Sequence, residues 1–233
     1  MIFKVLTLFP EMIQSYCSFS ILKRALESKA ISVGTINPRD FSLDKHKKVD
    51  DTPYGGGAGM VLTAQPYVDA YESIEQPDNS ISVMMTPQGE PLNEKIVNEL
   101  SNYNQITVLC GHYEGFDERI REIIKPREIS IGDFVLTGGE LPALCLMDAV
   151  SRKVEGTLGK IESAGEDSFS NGLLEYPHYT KPREYRGLCV PEVLLSGNHK
   201  EINAFRREES IKRTKLKRPD LFNTTNADYS KSQ

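Results

Sequence analysis

Residues 129–142, Ile-Ser-Ile-Gly-Asp-Phe-Val-Leu-Thr-Gly-Gly-Glu-Leu-Pro, restrict the possible folds of this chain more than any other stretch. Ile129 and Ile131 begin it as a strand, and Gly132, Gly138 and Gly139 then fall within eight residues. At Glu140, Leu141 and Pro142 the chain can enter a helix with proline in its first turn. A strand that ends in a glycine loop leading to a helix is how α/β proteins offer backbone amides to a ligand. No lysine or arginine stands in the loop, which argues against a phosphate cradle and for a nearly neutral ligand held by backbone groups.

The rest of the chain agrees with an α/β domain. Strands are expected over 2–8, 31–36, 81–85 and 106–110. Helices are expected from Pro10, over 20–29, from a Thr63 cap through Tyr71, from an Asn93 cap through Leu100, from Asp117 through Ile124, and over 140–154. Strands alternating with helices imply a mostly parallel sheet. Three glycine-containing loops, 86–89, 111–115 and 132–139, each follow a strand. Parallel strands bring such loops to one carboxyl edge, where α/β ligands bind. The connection 37–60 is long and ends in Pro-Tyr-Gly-Gly-Gly-Ala-Gly-Met, which marks it as functional or mobile. Residues 156–171 lose all periodicity and read as a flexible linker. Asn198 and Glu201 form a capping-box pattern for a helix ending before Pro219, and the last dozen residues are expected to fray.

Net charge is −5, but residues 200–218 carry eight basic and three acidic side chains, so the remainder carries −10. A basic tail on an acidic body suits a polyanion held at one end or a solvated helix face. Thirty-nine per cent hydrophobic and 26% charged residues describe an ordinary globular protein. No apolar run approaches the ~20 residues of a membrane span, and no secretory leader is expected. Cys17, Cys110, Cys145 and Cys189 lie far apart and read as buried, reduced thiols of a cytoplasmic protein, with no metal site. Walker, dinucleotide, HExxH and GxSxG motifs are all absent.

Four long motifs identify a resemblance. They occupy 53–60 (PYGGGAGM), 110–119 (CGHYEGFDER), 131–142 (IGDFVLTGGELP) and 167–182, which opens Asp-Ser-Phe and closes Gly-Leu-Leu-Glu-Tyr-Pro-His-Tyr-Thr-Lys-Pro. In order and over nearly the whole chain, they closely resemble the bacterial tRNA (guanine-N1)-methyltransferase family, which methylates guanosine 37 beside the anticodon. The resemblance implies a SPOUT-type fold with a deep trefoil knot in residues 1–155, a linker over 156–171 and a small, mainly helical tRNA-binding domain over 172–233. It implies a homodimer with active sites at the interface, S-adenosylmethionine as methyl donor and magnesium as a possible activator. The family's cofactor pocket falls on Pro87, Gly111, Tyr113, Glu114, Ile131, Gly132, Asp133, Phe134, Val135, Leu136, Gly138 and Gly139. Its general base falls on Asp167, and the guanidinium that stabilises charge on guanine O6 falls on Arg152. Gly59 matches the loop that approaches the target base. Arg206, Arg207, Lys212 and Arg213 belong to the basic stretch that would grip the anticodon stem. Read without the resemblance, Asp167 would simply cap a helix. Tyr176, His178 and Tyr179 suit base stacking and domain packing equally. His112, Ala58, Lys181 and Glu175 depart from residues common in the family, which bears on RNA affinity rather than on the reaction class. A ribosomal-RNA methyltransferase and a catalytically silent RNA-binding protein are the competing readings.

Overall fold

A computed structural model describes residues 1–158 and 167–222. The chain divides into two compact units, Met1–Gly159 and Lys160–Gln233. The first opens with β1 (Ile2–Leu6), α1 (Pro10–Cys17), α2 (Ser20–Glu27) and β2 (Ser32–Ile36). A small hairpin, β3 (Asp50–Asp51) with β4 (Val61–Leu62), interrupts the long connection before α3 (Ala64–Glu72). Then follow β5 (Ser80–Pro91), α4 (Glu94–Leu100), β6 (Gln105–Cys110), α5 (Glu118–Ile124), β7 (Arg127–Ser130) and α6 (Glu140–Ser151).

Five of these strands form one sheet in the order β2-β1-β6-β5-β7, and every pairing is parallel. Side chains alternate across it, as the two-residue period of a strand requires. Phe3 and Val5, Val83 and Met85, and Ile106 and Val108 bury themselves with Ile13, Leu22, Ile96, Leu146 and Met147 from α1, α2, α4 and α6. Leu6, Met84 and Leu109 turn the other way, against Tyr67 and Ala70 of α3 and Ile120 of α5. Burial on both faces explains why the strands read as apolar runs rather than as alternating patterns. The α/β architecture expected from the sequence is the one observed.

Several local expectations need correction. The Thr86–Gly89 segment does not end its strand. Instead β5 continues to Pro91, and its pairing with β7 jumps from Met85↔Ile129 to Glu90↔Ile129. The intervening residues bulge out of the ladder, which is where a proline without an N–H can be tolerated. β7 ends at Ser130, so Ile131 already belongs to the loop, and α6 ends at Ser151 rather than at Val154. Thr63 precedes α3 but makes no side-chain cap, whereas Asn93 accepts the Ile96 N–H at 3.1 Å and Asp117 accepts the Arg119 N–H at 3.0 Å. Cys17 and Cys110 are buried, but Cys145 and Cys189 are exposed.

The second unit contains a hairpin of β8 (Glu184–Tyr185) and β9 (Leu188–Cys189), and the long helix α7 (His199–Lys217). Asn198 caps α7 by accepting the Lys200 and Glu201 N–H groups, as the spacing predicts. Asp167 opens a run of turns rather than a helix: the Ser170 N–H donates to the Asp167 carbonyl at 3.2 Å and the Phe169 N–H to the Leu173 carbonyl at 2.7 Å. The helix-cap alternative for Asp167 is thereby removed. Half of the expected linker, residues 159–166, and all but the first residue of the tail expected to fray lie outside the described residues. Among the described residues no helix is long and apolar enough to cross a membrane.

Candidate active site

Parallel pairing places the ends of β5, β6 and β7 on one edge of the sheet, and a cleft of about 320 Å³ opens there. Its floor is the carboxyl end of the strands, with Met85 and Ile129 among the lining residues. Its walls come from the β5 bulge, the 111–115 loop and the 131–139 loop. Of the residues expected to hold a cofactor, Pro87, Gly111, Tyr113, Glu114, Ile131, Gly132, Phe134, Val135, Leu136, Gly138 and Gly139 all line this cleft. Asp133 does not. Thr86, Gln88, His112, Arg121 and Thr137 line it as well. Gln88, His112 and Thr137 lie inside the loops already singled out, so their position was the available signal. Arg121 sits on α5 and carried no such signal.

The loops are built by close backbone approach. The Gly139 N–H donates to the Gly111 carbonyl at 2.8 Å, and His112 bridges Gly138 in antiparallel fashion. A Cβ on Gly139 would stand 2.7 Å from both Cys110 Cα and Gly111 N, so only glycine fits there. Gly132 has φ +149°, and a Cβ on it would strike the Phe134 ring at 2.5 Å. Ser130 Oγ accepts the Gly132 N–H at 3.2 Å and fixes the start of that loop.

The 111–115 loop is anchored from below and from outside. The Tyr67 hydroxyl donates to the Cys110 carbonyl at 2.8 Å, and burial pushes both the Tyr67 phenol and the Cys110 thiol well above their ordinary pKa values. The Glu114 N–H donates to the Met60 carbonyl at 2.9 Å, and the Leu62 N–H donates to the Gly115 carbonyl at 2.9 Å. Those bonds pin the glycine-rich 53–60 connection beside the cleft. Gly59, at φ +83°, lies so close to the Glu114 carboxylate that any side chain there would collide with it.

Electrostatically the cleft is mild. Arg121 lines it but is paired with Glu128 at 3.1 Å and Glu118 at 2.9 Å. Phe134, Val135 and Leu136 offer exposed apolar surface. Among the described residues no group of three His, Cys, Asp or Glu side chains is placed to hold a metal ion. Such a site suits a ligand with an aromatic, hydrogen-bonding body and no phosphate.

Outside the cleft, Arg152 closes α6 as its C-cap and is half-buried. In the second unit Tyr176 lies under the Arg206 guanidinium, 4.7 Å from it, and its ring is 4.8 Å from that of His178. Tyr176 lines two shallow grooves, one with Arg206 and Arg207 and the other with Arg213 and Lys217. Lys212 and Arg207 are exposed, and the buried side of α7 is polar: the Leu174 N–H donates to Thr214 Oγ1 at 2.9 Å. The basic helix therefore carries both a packing face and a cationic one.

A parallel α/β sheet with a glycine-built cleft on its carboxyl edge, continued by a second unit bearing a basic helix, defines the ligand-binding class of α/β enzymes. The model of the tRNA (Guanine-1)-methyltransferase TrmD family matches residues 1–224. The tRNA (guanine-N(1)-)-methyltransferase of Caldicellulosiruptor saccharolyticus is 55% identical over 226 residues, covering 97% of this chain and 92% of that protein. The protein of the same name from Clostridioides difficile is 54% identical over 227 residues, 96% of this chain and 98% of that one. That from Staphylococcus carnosus is 53% identical over 217 residues, 93% and 89% respectively. The chain belongs to the tRNA (guanine-1)-methyltransferase TrmD family.

Proposed function

We propose that this protein transfers a methyl group from S-adenosylmethionine to N1 of guanosine 37 in tRNA. The observation that carries the reading is the cleft itself, together with membership of the family. Its walls are backbone groups and apolar side chains. Adenine can be gripped there by peptide donors and acceptors between Pro87, Leu136 and the 131–132 turn. Gly132, Gly138 and Gly139 let the two loops close on each other and turn backbone and the apolar Phe134, Val135 and Leu136 toward the cleft, a lining that fits an adenosyl group.

S-adenosylmethionine supplies the methyl group and leaves as S-adenosylhomocysteine. The chain's own residues must prepare guanine N1, which carries a proton at neutral pH and is a poor nucleophile. In this reading the Asp167 carboxylate removes that proton as the methyl arrives, freeing the N1 electron pair. Charge then grows on O6, where the Arg152 guanidinium stabilises it. Gly59 allows the 53–60 connection to approach the target base closely. Glu114, in the cleft, faces the methionine moiety.

The reading extends to the whole assembly. Membership of the family carries with it a deep trefoil knot within residues 1–155. The domain scheme keeps a linker at 156–171 and an RNA-binding domain at 172–233. Met12 and Tyr16 on α1, Phe9 and Phe19 flanking it, and Leu141 on α6 are large exposed apolar side chains. They support a homodimer that completes each active site. Cytoplasmic location and a stimulating role for magnesium complete the proposal.

The deciding experiment is methyl transfer from labelled S-adenosylmethionine to tRNA transcripts with guanosine or adenosine at position 37, followed by mass spectrometry of the digest. N1-methylguanosine formed only with guanosine 37 is the expected result. No transfer by a folded protein that binds S-adenosylhomocysteine would redirect the search to another RNA.

The basic helix makes a separate prediction. Reversing the charge of Arg206, Arg207, Lys212 and Arg213 should weaken tRNA binding and flatten the slope of log affinity against log salt, because released counterions scale with the phosphates neutralised. Titrations between ~50 and ~200 mM salt measure it. An unchanged slope would place the RNA footprint elsewhere.

A further inference from the structure

One buried carboxylate in the first unit has no part in the chemistry above. Glu140 opens α6, yet its side chain is only 1% exposed. It reaches two residues far away in sequence. Thr7 Oγ1, at the end of β1, donates to Glu140 Oε1 at 2.6 Å, and His112 Nε2 lies 2.6 Å from Glu140 Oε2. The Thr7 hydroxyl already accepts the Phe9 N–H at 2.9 Å, so its own proton is committed to Glu140. The His112 ring packs against Phe9 in a tilted contact, with ring centres 4.8 Å apart. A Cβ on Gly138 would collide with His112 and come within 2.7 Å of Glu140 Oε2, so glycine at 138 is what admits this contact.

We propose that Glu140 is a positioning residue for the cofactor cleft: by engaging Thr7 and His112 together, it fixes the His112 tautomer and locks the 111–115 loop to the 138–140 turn. This rests on the reading of the cleft as an S-adenosylmethionine site. The two loops are already joined by the Gly139-to-Gly111 hydrogen bond and the His112–Gly138 bridge. Backbone bonds and the Phe9 contact do not choose which ring nitrogen carries the proton. With the Thr7 proton already given to Oε1, the short contact at Oε2 is made by a proton on His112 Nε2, the donor that a carboxylate oxygen accepts. Nδ1 is then the ring nitrogen not committed to Glu140, in a side chain that lines the cleft. Glu140 touches no cleft space itself and acts through His112.

The test compares the wild type with Glu140→Gln. Glutamine keeps the shape. With its carbonyl accepting from Thr7, its amide must donate to His112 Nε2, which drives the histidine proton to Nδ1; the flipped amide would strand the buried Thr7 hydroxyl proton. The expected result is a His112 ring proton moved from Nε2 to Nδ1 in ¹⁵N-histidine spectra recorded under the conditions of the binding assay. It comes with S-adenosylhomocysteine affinity at least tenfold weaker by calorimetry, and a KM for S-adenosylmethionine that rises more than kcat falls. An unchanged tautomer or unchanged affinity overturns the proposal. If Glu140→Gln does not fold, Thr7→Val, which lies outside the cleft and removes one of the two donors, carries the test. It should weaken S-adenosylhomocysteine several-fold, and wild-type affinity would refute the clamp. Failure of the wild type to bind S-adenosylhomocysteine would instead sink the reading of the cleft.

Discussion

Replacing Asp167 with alanine is expected to lower kcat by about 10²- to 10⁴-fold, the usual contribution of a positioned general base. Affinity for S-adenosylhomocysteine should stay within about twofold, because the proposed role of Asp167 is at guanine N1 and not at the methyl donor. Single-turnover methyl transfer and calorimetry on the same preparation make the comparison. Partial recovery of the alanine variant in formate would identify the lost group as a base rather than as a packing element. Lost cofactor binding would make Asp167 a pocket residue, and undiminished turnover would move the base elsewhere.

The second large effect is expected from Gly139→Ala. The new methyl would stand 2.7 Å from Cys110 Cα and Gly111 N, and backbone cannot swing aside as a side chain can. Overpacking of this kind costs about 1–3 kcal/mol, or a melting temperature lower by roughly 2–4 °C per kcal/mol in a domain of this size. Binding should suffer more than stability. Relief of the clash displaces the end of β6 and with it the 111–115 loop, so S-adenosylhomocysteine affinity should fall by more than tenfold. Gly34→Ala is the control: its Cβ would meet only the flexible Lys4 side chain, at 3.4 Å. A Gly139→Ala protein that binds like wild type would show that the two loops are not held as tightly as their hydrogen bond indicates.

How much of this was legible in the sequence depends on how far each cause reaches along the chain. Asn93, Asp117 and Asn198 announced their helices because a cap acts on amides two or three residues away. The three glycine loops announced a shared edge because parallel strands leave no other arrangement. The β5 bulge was hidden, since Thr86–Gly89 looks like a strand end until β7 arrives to resume pairing at Glu90. Thr63 fits a local capping pattern that tertiary packing did not use. Glu140 read as an ordinary first-turn acid. Its partners stand 133 and 28 residues away, and no periodicity encodes such a meeting. The two exposed cysteines show the same limit, because composition says how often cysteine is buried but not which face of α6 carries Cys145.

The strand order also sets a timetable for synthesis. β1 lies inside the sheet, with β2 on one side and β6 on the other, and Ile2 is paired with both Ser32 and Gln105. β2 follows soon after β1 leaves the ribosome. β6 follows about a hundred residues later, some 5–20 s at ordinary elongation rates. Throughout that interval the nascent chain presents one unpaired edge of β1, along with Phe3 and Val5, whose cover from α6 comes later still. The earliest residues made are thus among the last to be sheltered, and a chaperone that recognises extended apolar segments should engage this protein from its first strand until α6 has emerged.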